Sequence, residues 1–212
     1  MSKAQHRVDV GRNVVRSGEG TLISAVHDHI VGTDGQTVAV LGFNLQDAPV
    51  PDRRYAADFV SVLYKRDVIK LIFGQEKLGV NSIRSLVVIA MHTGDTRNFV
   101  TSLATIQNPN FDEIVRQAGI VTIPSLRIIE EEPEQTIALT ANFVATAMAG
   151  RAACMDFYSA SAFAMAEMAK LQKLAVDPVV RIDLSIANLA ALRDELIKLI
   201  PSFPLDTPGV AA

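Results

Sequence analysis

The chain has 212 residues, of which 49% are hydrophobic and 20% charged, and its formal net charge is −3. That apolar content supports a real core and excludes global disorder, and the slightly acidic balance lacks the basic footprint of a nucleic-acid binder. A single cysteine, Cys154, excludes an internal disulfide and a thiolate metal cage within one chain.

Residues 1–19 are polar, hold Lys3, Arg7, Arg12 and Arg16, and read as a loose solvated arm. They lack the charged-then-apolar pattern of a signal peptide, and no apolar run approaches the ~20 residues that span a bilayer, so a cytoplasmic protein away from membranes is expected. TLISAVHDHIV (21–31) and QTVAVLGFNL (36–45) flank Asp34-Gly35, which predicts a β-hairpin. DAPVPDRR (47–54) breaks the pattern with two prolines.

DFVSVLYKR and VIKLIFGQ then read as paired strands joined at Arg66-Asp67, with Phe59, Ser61, Leu63 and Lys65 on one face and Val60, Val62 and Tyr64 on the other. SLVVIAMH (85–92) suits a central strand covered on both faces. Thr93-Gly94-Asp95 supplies helix-start chemistry, and Phe99, Leu103 and Ile106 form one apolar stripe. Residues 108–119 predict a short helix stopped by Gly119, 120–129 a strand containing Pro124, and 130–135 an exposed acidic loop.

TANFVATAMAG and AACMDFYS form a second strand pair, followed by a Met- and Ala-rich helix over 160–175. VVRIDLS predicts a strand with Val180, Ile182 and Leu184 inward and Arg181 and Asp183 outward. Ser185 caps a last helix whose apolar face is Leu189, Leu192, Leu196, Leu199 and Ile200, with Pro201 ending it and a Pro-rich tail after it.

Two segments echo each other. Residues 55–74 align with 139–158 without a gap, so that Ala57, Phe59, Val60 and Phe73 recur as Ala141, Phe143, Val144 and Phe157, an offset of 84. Residues 85–107 align with 178–200 at an offset of 93, pairing Ile89 with Ile182 and Leu103 with Leu196. The offset grows because the second copy carries 159–177 where the first carries only 75–84. What recurs is apolar, apart from the loose Asp58/Asn142 pair, so the echo preserves a core rather than a site.

Tyr55-Ala56-Ala57-Asp58-Phe59-Val60, Ile69-Lys70-Leu71-Ile72-Phe73-Gly74 and the strand-to-helix segment 87–106 resemble a small bacterial family of unknown function, about half of the chain being covered. The family brings no known catalytic residues. The strand-strand-strand-helix order is also loosely similar in topology to the export chaperone SecB. Residues 118–129 look like the cis-proline segment of thioredoxin folds, but no Cys-x-x-Cys stands upstream.

Among reactive residues, His27 and His29 stand two apart on a predicted strand, so both imidazoles share a face and are candidate ligands for one metal. His92, at a strand end, is a possible third ligand. No nucleophile motif, zinc-protease motif or phosphate loop is present. Phe163, Met168, Leu171 and Leu174 line one side of the 160–175 helix as a candidate subunit or client interface, since flexible methionines suit adaptable surfaces.

The expected fold is α+β: two pseudo-symmetric strand-strand-strand-helix units, helices packed on antiparallel sheets, plus the N-terminal hairpin. The expected division is an arm (1–19), hairpin plus first unit (20–110), linker plus second unit (111–203) and a disordered tail (204–212). The expected function is a non-enzymatic interaction or assembly module, a scaffold subunit or chaperone-like adaptor, with no cofactor and with a protein partner or a second copy of itself. The alternatives are a metal-dependent protein using His27 and His29, and a small-ligand or nucleic-acid sensor.

Overall fold

The computed structural model describes residues 4–7, 17–31, 37–43, 48–77, 82–104, 111–126, 133, 136–171 and 173–202. In chain order the strands and helices are β1 (Ala4–Arg7), β2 (Ser17–Val31), β3 (Thr37–Phe43), β4 (Arg54–Ala56), β5 (Phe59–Lys65), β6 (Val68–Glu76), β7 (Ile83–His92), α1 (Thr93–Ala104), α2 (Phe111–Gln117), β8 (Ile137–Thr140), β9 (Phe143–Ala149), β10 (Ala152–Ser159), α3 (Ala162–Leu171), β11 (Lys173–Ser185) and α4 (Ile186–Leu199). The fold is α+β. One sheet has seven strands in the order β1-β2-β11-β10-β9, with β3 beside β2 and β4 beside β11, and the other has four in the order β5-β6-β7-β8.

Alternation of apolar residues fixes which face each strand buries. Val60 and Val62 of β5, Ile69, Leu71 and Phe73 of β6, and Val87, Ile89 and Met91 of β7 join one core with Met155 and Phe157 of β10 and Val180, Ile182 and Leu184 of β11. Phe99 and Val100 of α1, Val115 of α2, and Leu189, Leu192 and Leu196 of α4 complete it. At its centre the rings of Phe73 and Phe157 meet edge to face, 6.0 Å apart at 64°. Such a pair contributes about 1 kcal/mol beyond its area. Val144 packs against the margin of this core. The Phe59 side is different: Phe59 is buried outside that cluster, and Phe143 joins a smaller one around Ile23, Tyr158, Leu174 and Val176. The side chain of Leu103, and Ile106 altogether, lie outside the described residues.

Two short strands cross between the halves. β4 runs directly into β5, yet it pairs in parallel with β11, Arg54 opposite Arg181 and Ala56 opposite Asp183. β8 runs into β9, yet it pairs in parallel with β7, Ala138 opposite Val88 and Thr140 opposite Ala90. The hydrogen bonds follow the same correspondence. Ala57 N–H donates to the Asp183 carbonyl at 2.8 Å and Ala141 N–H to that of Ala90 at 3.1 Å; Thr93 N–H donates to Asp67 and Ile186 N–H to Arg151, both at 3.0 Å. Asp58 N–H reaches Gly74 at 3.2 Å and Asn142 N–H reaches Tyr158 at 3.1 Å, and each sheet has a bulge at the matching place, between Phe73 and Gly74 where β6 meets β7 and between Phe157 and Tyr158 where β10 meets β11.

Several sequence-based boundaries need correction. The arm is not wholly loose, because Ala4–Arg7 pairs with Ser17–Gly20. Residues 120–126 form no strand: Pro124 lacks a donor, and Ile120, Ile123 and Leu126 instead pack on the core as irregular chain. The helix expected over 160–175 ends at Leu171, and Lys173–Val176 belong to β11, where Ser24–Thr21 supply the partner hydrogen bonds. Strand pairing outweighs the modest helix propensity of that segment. The turn at 32–36, the acidic run 130–132 and the tail from 203 lie outside the described residues; β2 and β3 do pair, from Val31↔Thr37 to Ala25↔Phe43. Among the described residues no helix is long and apolar enough to cross a membrane.

Candidate functional site

The outer face of the seven-stranded sheet carries a row of ionisable side chains. On β10, Cys154, Asp156 and Tyr158 alternate with the core residues Ala153, Met155 and Phe157; on β11, Arg181 and Asp183 alternate with Val180, Ile182 and Leu184. Register places Asp156 opposite Arg181 and Cys154 opposite Asp183. The Arg181 guanidinium grips Asp156 with two bonds, Nε to Oδ1 at 2.6 Å and Nη2 to Oδ2 at 2.5 Å. Both groups are largely shielded, with side-chain exposures of 24% and 10%. On the neighbouring β4, exposed Arg54 pairs with Asp183.

The electrostatics follow from this order. The bonds that Arg181 donates to Asp156 raise the pKa of the guanidinium well above its ordinary value. Burial, and then the negative charge of Asp156, push the Tyr158 phenol up to about 12, so it stays protonated throughout the neutral range. Each cation in the row faces its own carboxylate, so the row is a cross-strand ion-pair ladder rather than an open charge pocket. The corresponding positions in the four-stranded sheet are Lys70, Ile72 and Gly74 on β6, Val88 and Ala90 on β7, and Ala138 on β8. The ladder therefore belongs to the seven-stranded sheet, and the Asp156–Arg181 pair at its centre to the second half.

Beside the ladder sits α3, which has no counterpart among the described residues of the first half. Asn142 anchors its approach from both sides: Asn142 Nδ2 donates to the Ala160 carbonyl at 2.9 Å and Ala160 N–H donates to Asn142 Oδ1 at 2.8 Å. At the equivalent place the Asp58 carboxylate has no donor and only accepts, from Glu76 N–H at 2.7 Å. The Ser161 hydroxyl then accepts from Ala164 N–H at 3.2 Å and starts the helix. Ala164 and Met168 seat α3 on Ile23, Tyr158, Leu174 and Val176. Its other side faces solvent, leaving Phe163 53% and Met165 38% exposed.

The residues singled out from the sequence are dispersed. Of the four apolar positions, Phe163 is exposed, Met168 faces the sheet, Leu174 is fully buried in β11, and the Leu171 side chain lies outside the described residues. His27 and His29 occupy one face of β2, opposite Leu41 and Ala39, and their side chains also lie outside the description. His92 is exposed at the end of β7, and its carbonyl accepts from the Thr96 hydroxyl at 3.0 Å. Among the described residues no group of three His, Cys, Asp or Glu side chains is arranged to hold a metal. The Asp156–Arg181 pair was not singled out, although the signal was present: comparing the halves position by position sets Asp156 against Ile72 and Arg181 against Val88. No protein-family model matches this sequence, and no similar protein is found among the curated ones.

Proposed function

We propose that the protein is a non-enzymatic assembly module whose docking surface lies on the second half. One observation carries this reading: α3 holds Phe163 and Met165 out in solvent while its opposite side is fixed on the sheet by Met168, Ala164 and the Asn142 clamp. A rigidly seated helix that presents large apolar side chains is suited to groove or face recognition. The same sheet carries the neutralised ladder, whose ion pairs leave side-chain charge balanced beside α3. The correspondence of the crossing strands and bulges supports the reading that both halves derive from one duplicated unit, the second having acquired α3. The test is partner capture with Phe163→Glu, folding being checked by circular dichroism. Loss of an identified partner from the variant is expected, and unchanged capture argues against α3 as the docking surface.

A second reading keeps the two histidine positions on one face of β2 as metal ligands. Elemental analysis of the purified full chain tests it. A stoichiometric transition metal lost in His27→Ala favours it.

A further inference from the structure

One edge of the seven-stranded sheet is β9, which pairs only with β10 among the described residues, and it differs from its counterpart in the other sheet. In the first half the edge is β5, whose Val60 and Val62 are buried; α4 packs beside it as α1 packs beside β9, but Asn188 Nδ2 also donates to the Asp58 carbonyl at 2.9 Å and the strand ends on Lys65. In the second half Val144, Thr146 and Met148 remain half-buried, and FVATAMA contains no charge and no proline. Charged residues and prolines are the usual devices that blunt a sheet edge.

Backbone direction along β9 follows from its register. Ala149 and Ala152 flank a two-residue turn and form a hydrogen-bonded pair, so Ala147, Ala145 and Phe143 also direct their backbone groups toward β10. Val144, Thr146 and Met148 direct theirs outward, and no partner for these three is found among the described residues. The outward set is symmetric about Thr146. An antiparallel second β9 centred there would set Thr146 against Thr146 and Val144 against Met148, using every outward N–H and C=O of both copies. It would also place Ala145, at the margin of the Tyr158 cluster, opposite exposed Ala147, and it would bring no like charges together.

We propose that β9 pairs with β9 of a second copy of this chain, joining two seven-stranded sheets across a twofold axis at Thr146. This rests on the assembly reading and names its homotypic surface, separate from the α3 surface. Isologous pairing requires a self-complementary strand, and an uncharged strand with a symmetric bonding set meets that requirement. A foreign strand would gain nothing from this symmetry.

The experiment is sedimentation equilibrium of the full chain across the micromolar range, with hydrogen exchange of the β9 amides on the same samples. A concentration-dependent dimer is expected, with the Val144, Thr146 and Met148 amides protected only in the dimer. Thr146→Pro removes one outward donor per copy without touching the β10 ladder, and should weaken dimerisation about thirtyfold at unchanged far-UV circular dichroism. Ala147→Lys provides a second variant should the proline disturb folding. It adds like charges on either side of the axis, and its weakened dimer should recover at high salt. A strict wild-type monomer overturns the proposal, as does a dimer that both variants leave intact with the β9 amides unprotected. Protection that appears only when another protein is added overturns the second copy as occupant. The assembly reading survives those results as long as Phe163→Glu still abolishes partner capture, so the two can fail separately.

Discussion

Tyr158 and Gly74 occupy equivalent positions with opposite demands. A Cβ at Gly74 would lie 2.8 Å from the Arg84 carbonyl oxygen, so β6 and β7 need a bare backbone there. In the second half the same position holds a buried phenol that fills the space beneath α3. Because the folded state holds the Tyr158 pKa near 12 against an ordinary 10.0, the folded chain binds more protons than the unfolded chain in that window. Its contribution to stability is therefore intact below pH 10 and falls as pH rises toward 12. Thermal melts of the wild type should show a steeper alkaline decline than those of Tyr158→Phe, and equal slopes would contradict the environment assigned to Tyr158. Asp58 and Asn142 show a related contrast, since one amide in place of a carboxylate permits the two-way clamp that carries the α3 insertion.

At the scale of elements, the hairpin turns carry a difference that the sequence displays without explaining. β5–β6 and β9–β10 each turn in two residues, and the first takes positive φ in both: Arg66 at 63° and Gly150 at 58°. Glycine adopts that conformation freely, whereas arginine is strained there. Arg66→Gly should stabilise the protein by about 1 kcal/mol and Gly150→Ala should destabilise it by about the same amount. No atom lies within 4 Å of a Cβ built at Gly150, so the second change isolates backbone strain from crowding. Urea denaturation midpoints of the two variants should move in opposite directions, and a shared direction would show that the turns are not equivalent. Elements were least legible where partners decided them. Residues 173–176 follow a helix in sequence and become strand because β2 is beside them, while 120–126 have strand composition but find no ladder.

For the whole molecule, the reciprocal crossing of β4 and β8 has a mechanical consequence. Each half completes the other's sheet, and both bury the same core, so neither half can open while its partner stays intact. Unfolding should be a single cooperative transition, with calorimetric and van't Hoff enthalpies equal for the form that is monomeric under the conditions used. Phe157→Ala, which removes half of the ring pair at the centre, should cost about 3–5 kcal/mol and lower that one transition. Two resolved transitions in the variant would mean that the halves are independent.

Local and periodic features could be read from residue order: strand pairs from two-residue alternation, the Arg66-Asp67 connection, the inward set Val180, Ile182 and Leu184, and the Ser185 cap, whose hydroxyl accepts from Asn188 N–H at 3.1 Å. These depend on neighbours within a few residues, so their physics is written in the order of side chains. The crossing of β4 and β8, the Asp156–Arg181 ladder, the split between the Phe73–Phe157 core and the Tyr158 cluster, and the open edge at β9 emerge only once the chain is folded. Each of these depends on backbone hydrogen bonds or charges brought together across long stretches of chain, and hydrophobic alternation is indifferent to which strand supplies the partner.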